Sequence, residues 1–147
     1  MVAIACQTGG KHVIETLSSD DARAAVALWE ETNLTRPWND ARSDFMKALD
    51  GPDSAILGAR DGATLVGTVM VGFDGHRGWA YYLAVKPSHR GRGLGRQLMI
   101  GAETWLRKHG APKIQFMVRS ENSEVVDFYT HLGYVPQYVQ VLGRRLY

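Results

Sequence analysis

The residue order predicts a domain of the α/β or α+β class built on a mixed sheet. Three observations lead there. Runs of β-type residues and runs with helical periodicity follow one another as β-α-α-β-β-β-α-β-α-β, with hairpin strands in the middle and crossovers later. Gly and Pro punctuate the chain regularly, with no repeat and no low-complexity segment. Of 147 residues, 45% are hydrophobic and 22% charged, which suits one core of ordinary size and leaves no room for a second domain.

The elements are read in order. Residues 1–10 are expected to form a loosely ordered tail ahead of a first strand over Lys11 to Leu17. The cluster Ser18-Ser19-Asp20-Asp21 starts a helix whose apolar positions are Ala22, Ala25, Val26 and Trp29. A second short helix starts near Asn39 or Asp40, presents Phe45 and Leu49, and stops at Gly51-Pro52. Ser54 to Arg60, Asp61-Gly62 and Ala63 to Phe73 read as a hairpin with a type I′ turn. The turn-rich Asp74–Gly78 leads to a strand from Trp79 to Val85. Leu94, Leu98, Ala102, Trp105 and Leu106 share one face of a helix ending at Gly110. Lys113 to Arg119 reads as a strand, and Val125, Phe128, Tyr129 and Leu132 mark a last helix. The stretch from Tyr134 to Tyr147 is largely β-type.

Composition excludes several functions. A net charge of +2 gives nucleic-acid binding no bulk electrostatic support. The single cysteine, Cys6, rules out an intramolecular disulfide and a multi-cysteine zinc site, and no metal is expected. No apolar run approaches a membrane span. Ala3-Ile4-Ala5-Cys6 faintly resembles a lipoprotein cleavage site but lacks the basic and apolar regions that would precede one. A soluble, cytoplasmic, single-domain protein over residues 1–147 is the expectation, as a monomer or homodimer with no nucleic-acid or membrane partner.

Arg90-Gly91-Arg92-Gly93-Leu94-Gly95-Arg96 follows a strand and opens a helix. In that setting backbone N–H groups and the helix dipole can hold an anion, and glycines let phosphate oxygens approach the backbone. Arginines add charge that pairs with phosphate. A Walker A loop needs Gly-Lys-Ser/Thr, which Gly95-Arg96-Gln97 does not supply. A dinucleotide fingerprint needs Gly-x-Gly-x-x-Gly after the first strand, and here the spacing is Gly-x-Gly-x-Gly after a later one.

The run Tyr82-Leu83-Ala84-Val85-Lys86-Pro87 through Gly95 resembles the central motif of the GNAT N-acetyltransferases, a strand ending Leu-x-Val-x-Pro before Gln/Arg-x-x-Gly-x-Gly/Ala. Asn122, Phe128-Tyr129 and Leu132-Gly133-Tyr134 resemble the family's later motif. Arg36–Asn39, Gly72–Gly78 and Tyr81-Tyr82-Leu83 look like the small bacterial YpeA-type acetyltransferases. The resemblance covers nearly the whole chain. It implies a twisted, mostly antiparallel mixed sheet of roughly six to seven strands flanked by about four helices.

It also implies an activity, acetyl transfer from acetyl-CoA to a primary amine by direct attack in a ternary complex. Backbone amides of Arg90, Gly91, Arg92, Gly93, Leu94, Gly95 and Arg96 would then hold the pyrophosphate. Leu83, Ala84 and Val85 would pair with the pantetheine arm as with an added strand. The Leu83 N–H would polarise the thioester carbonyl. Asn122 would hydrogen-bond the cofactor, although Asn at a helix start is equally an ordinary cap. Tyr129 would serve as general acid to the departing thiol, although one of Phe128 and Tyr129 must be core.

The general base departs from the family pattern. Family glutamates fall at the positions of Tyr81 and Met117, so neither carboxylate is present. A water held by Tyr81 or by a backbone carbonyl is one replacement; Asp74, His76 and Glu121 are others. Trp38, Asp74 and His76 are the acceptor-side candidates, for a small-molecule amine or a peptide or protein amine. The competing readings are a CoA-binding regulatory module that has lost catalysis, supported by the missing glutamates, and a nucleic-acid binder using Arg90, Arg92, Arg96, Arg144 and Arg145.

Overall fold

The computed structural model describes residues 12–147, so Cys6 and the tail expected over residues 1–10 lie outside the described residues. The described elements are β1 (Glu15–Thr16), α1 (Ala22–Glu31), α2 (Ala41–Asp50), β2 (Ser54–Asp61), β3 (Thr64–Phe73), β4 (Gly78–Val85), α3 (Leu94–Lys108), β5 (Ile114–Gln115) and α4 (Ser123–His131). They fall into two compact units divided between Phe116 and Met117. The first holds a sheet in the order β1-β2-β3-β4-β5, antiparallel except for the parallel β4–β5 pair. The mixed, mostly antiparallel α/β class and four helices are as expected, with five strands described instead of six to seven.

The missing strands have a common cause. A β-type run becomes a strand only where a partner ladder exists, and residue pattern does not report the partner. Among the described residues the expected first strand is paired as a strand over Glu15–Thr16 alone, and Lys113–Arg119 over Ile114–Gln115 alone. Tyr134 to Tyr147 forms no strand; Tyr138, Leu142 and Leu146 stand exposed, and Pro136 removes a ladder donor.

In the first unit both faces of the central hairpin are buried, because helices cover each. Ala25, Leu28 and Trp29 of α1 and Phe45 and Ala48 of α2 pack with Ile56, Leu65 and Ala84. Leu94, Leu98, Met99, Ala102 and Leu106 of α3 are buried as well. Trp105, expected on that face, is half-buried and stacks on His109 at 3.6 Å. Gly67 of β3 sets how closely α3 approaches: a Cβ there would stand 2.8 Å from Leu98 Cδ1. The hairpin turn falls one residue later than expected. Gly62 (φ 62°) is its first central residue and Ala63 its second, with positive φ at the first alone, a II′ pattern. Asp40 caps α2, its carboxylate accepting the Ser43 N–H at 2.9 Å.

Candidate active site

The candidate site begins with an irregularity in β4. Thr68 pairs with Ala84 and Met70 with Tyr81, so Tyr82 and Leu83 together oppose the one residue Val69. This is a β-bulge, which re-aims the backbone locally. Tyr82 has φ 52°, a conformation that costs a non-glycine residue on the order of 1–3 kcal/mol and persists only where surroundings hold it.

Those surroundings are specific. The Thr68 hydroxyl donates to the Tyr82 carbonyl at 3.0 Å, and the Trp29 indole N–H donates to the Thr68 oxygen at 2.8 Å. The Tyr82 ring stacks on Trp29 with centroids 3.9 Å apart, and its hydroxyl donates to Asp44 Oδ2 at 2.8 Å. Burial and the Asp44 carboxylate both push the Tyr82 hydroxyl pKa well above the ordinary tyrosine value. Beyond Trp79 no described strand pairs with β4 on the β5 side. Leu83, Ala84 and Val85 therefore lie where β4 has left β5.

The glycine-rich loop follows directly. A short 3₁₀ turn over Pro87–His89 is braced by His89, whose ring contacts Ser88 Oγ and Asp61 Oδ2, each at 2.8 Å. Gly91 (φ 77°) and Gly93 (φ 80°) both adopt left-handed backbone, with nothing within 4 Å of where a Cβ would stand. Gly93 precedes α3, and the Gln97 N–H makes a helical bond back to Gly93 at 3.0 Å. The preceding amides of Leu94, Gly95 and Arg96 belong to the first turn, which has no intrahelical acceptors. Arg92 and Arg96 are exposed, whereas Arg90 turns back to donate to the Val85 carbonyl at 3.2 Å. An open, glycine-shaped helix N-terminus with cationic side chains fits an anionic phosphate group.

At the other end of β4 lies an open cavity of about 330 Å³, whose lining includes Asp53, Ser54, Phe73, Asp74, Trp79 and Tyr81. Trp79 and Tyr81 stack with centroids 6.4 Å apart. Asp74 Oδ1 accepts the N–H groups of Arg77 (2.7 Å) and His76 (2.8 Å), and Oδ2 accepts the Trp79 indole N–H at 3.0 Å. Those bonds hold its carboxyl down at about 2. Such a carboxylate supplies negative charge but is a poor proton acceptor. Burial, and then the Asp74 charge, raise the Tyr81 hydroxyl above the ordinary value. Trp38 and His76, the other acceptor-side candidates, are exposed and do not line this cavity.

The second unit, Met117–Tyr147, carries α4. Asn122 occupies the N-cap position but its side chain makes no capping bond. Tyr129 is half-buried, with edge-on ring contacts to Phe128 (5.0 Å) and Tyr134 (5.9 Å). Burial pushes its hydroxyl up to about 12. Glu121 and Met117 are exposed. Among the described residues no group of His, Cys, Asp and Glu is placed to hold a metal, and no helix is long and apolar enough to cross a membrane.

Of the residues singled out from the sequence, the structure puts the glycine-rich loop ahead of α3, Leu83 in the bulge, and Asp74 and Tyr81 at the cavity. Residue-level reading missed Thr68, Trp29, Tyr82 and Asp44, which shape the bulge. The available signal was Thr68 itself, a polar residue in the middle of the apolar run from Leu65 to Phe73.

Comparison with known proteins places this geometry. Residues 14–134 match the acetyltransferase (GNAT) family model. An acetyltransferase of Yersinia pestis is 42% identical over 133 residues, covering 90% of this chain and 94% of the relative. One of Pectobacterium atrosepticum matches to the same extent. Among solved structures, the aminoglycoside acetyltransferase AAC(6')-Iy in complex with a CoA-containing bisubstrate analogue superposes with a TM-score of 0.80 at 16% identity, covering 92% of this chain and 99% of that one. A ribosomal-protein-alanine N-acetyltransferase from Brucella melitensis gives 0.74 at 20% identity, covering 92% and 100%. The chain belongs to the GNAT family and is an acetyltransferase.

Proposed function

We propose that the chain acts as one YpeA-type N-acetyltransferase domain, moving the acetyl group of acetyl-CoA to a primary amine by direct attack. The observation that carries this reading is the β4 bulge, followed within a few residues by a left-handed glycine loop at a helix N-terminus. The bulge breaks the ladder where a thioester needs backbone donors, and the loop offers amides where a pyrophosphate needs them. The family match runs across both units, and a structural neighbour is bound to a CoA-containing analogue, which supports one domain and this cofactor.

On this reading Leu83, Ala84 and Val85 hydrogen-bond the pantetheine arm, and the amides from Arg90 to Arg96 hold the pyrophosphate. Asn122 and Tyr129 are assigned to the cofactor by their motif, Asn122 as a hydrogen-bonding side chain. The acceptor enters the cavity between Asp74 and the Trp79–Tyr81 pair, whose carboxylate and aromatic faces favour a cationic amine while it is still protonated. The ammonium passes its proton to water held at Tyr81. The free amine nitrogen then bonds to the acetyl carbon, while the Leu83 N–H stabilises the charge on the carbonyl oxygen. The C–S bond breaks, the sulfur leaves with its electron pair, and it takes up through solvent the proton that the former amine nitrogen sheds in becoming an amide. With Tyr129 at about 12 against roughly 8.5 for a thiol, full transfer from its hydroxyl costs about 5 kcal/mol. Tyr129 acts as a hydrogen-bond donor to the leaving sulfur, a narrower role than general acid.

Calorimetric titration with acetyl-CoA, followed by thiol release across a panel of small amines and peptides, tests the reading. Micromolar binding and amine-dependent thiol release are expected. Binding without release by any amine would favour the CoA-binding regulatory module, and no binding would overturn both.

A further inference from the structure

Tyr82 C=O and Leu83 N–H belong to the same peptide group. In a trans peptide these two bonds point in opposite directions. Whatever fixes the carbonyl therefore fixes the amide. The carbonyl is fixed by Thr68, whose hydroxyl donates to it at 3.0 Å. That hydroxyl has little rotational choice, because its oxygen already accepts the Trp29 N–H at 2.8 Å. Thr68 and Trp29 are both fully buried, so no water competes for the bond between them. The Leu83 N–H is thereby turned away from Thr68 and β3, toward the side of β4 that β5 leaves unpaired.

Resting on the acetyl-CoA reading above, we infer that Thr68, held by Trp29, is a positioning residue that aims the Leu83 N–H at the thioester carbonyl. Thr68 touches neither substrate nor cofactor in this scheme. Its one hydroxyl decides which face of the Tyr82–Leu83 peptide the cofactor meets. Without that bond, the bulge keeps its extra residue, but the peptide plane is free to rotate and the Tyr82 carbonyl must seek another donor. The stacked ring of Tyr82 and its bond to Asp44 hold the side chain, not the peptide plane.

The test is isotope-edited infrared spectroscopy of acetyl-CoA carrying ¹³C at the thioester carbonyl, which reads the hydrogen bond without needing an identified acceptor. Bound to the wild-type chain, the carbonyl stretch is expected to fall below its frequency in water. Thr68→Val keeps the shape and removes the donor; it should lose that lowering, with CoA affinity unchanged and turnover down about 10²-fold, as for one lost oxyanion donor. Thr68→Ser should restore the lowered frequency. Leu17→Ala, a core truncation at the β1 end, should reduce Tm and leave the frequency where it is. If Thr68→Val melts below the measuring temperature, Thr68→Cys, with a weak donor of similar size, should lose part of the shift. A folded Thr68→Val or Thr68→Cys variant with the full wild-type shift overturns the inference. So does a wild-type complex with no shift, although acetyl-CoA binding then still stands. Failure of the wild-type chain to bind acetyl-CoA overturns both.

Discussion

The indole N–H of Trp79 donates to Asp74 Oδ2 at 3.0 Å, tying the first residue of the β3–β4 turn to the start of β4. The same carboxylate closes the turn through the amides of His76 and Arg77. One side chain therefore shapes the loop, orients an aromatic wall of the cavity and places a fixed negative charge beside it.

Replacing that carboxylate should act on the acceptor side alone. Asp74→Ala is expected to lower kcat/KM for the amine about 10-fold or more, with the acetyl-CoA KM nearly unchanged, because a charge and a wall are lost together. His76→Ala should be close to wild type, since the backbone N–H of residue 76 makes the bond to Asp74. Steady-state kinetics with each substrate varied in turn checks both. Equal losses in the two variants would mean that the imidazole contacts the acceptor.

The Asp74 carboxyl, held down at about 2, also makes a pH prediction. Its folded value lies below the unfolded value of about 3.9, so the bonds it makes contribute fully above pH ~4 and are lost as pH falls toward 2. The amide proton shifts of His76 and Arg77 should stay constant from pH 8 to about 4 and then collapse together. Any pH dependence of turnover near neutrality then belongs to another group. An amide titration near pH 6 would assign the loop to a different proton.

Gly93→Val is expected to abolish CoA binding while the chain stays folded. No neighbour stands within 4 Å of a Cβ at this position, so the obstacle is the φ of 80°, which a β-branched residue resists. The loop would rearrange and withdraw its amides. Gly91→Val should act the same way for the same reason, at φ 77°. Calorimetry with CoA, beside a thermal melt, separates lost binding from lost fold, and wild-type affinity in either variant would detach the loop from the cofactor.

Tyr129→Phe keeps the ring and removes the hydroxyl. A kcat loss of about 10²-fold is expected, at the low end for an acid group because the high pKa limits it to hydrogen bonding. Acetyl-CoA affinity should hold. The sign of the accompanying stability effect follows from the folded value of about 12 against roughly 10 unfolded: the folded chain keeps the proton longer, so stability declines as pH climbs from 10 toward 12. The phenylalanine variant should lack that part of the decline. Wild-type turnover with chemistry rate-limiting would return Tyr129 to packing.

Local rules were enough for the helices and the loop. Asp40 ahead of Phe45 and Leu49, or Gly91 and Gly93 ahead of Leu94, act over a few residues, and capping and backbone permissiveness depend on little else. The same locality made Arg90–Arg96 legible as an anion cradle. What needed the tertiary structure was everything that depends on a partner from elsewhere in the chain. Whether Lys113–Arg119 or Tyr134–Tyr147 forms a strand is decided by an available ladder, and the ladder stops at Gln115. The bulge at Tyr82-Leu83 depends on a hydroxyl fourteen residues back and an indole from α1. Aim is a long-range property: Leu83 carries no unusual side chain, and only the bond from Thr68 to its neighbour's carbonyl sets where its N–H points.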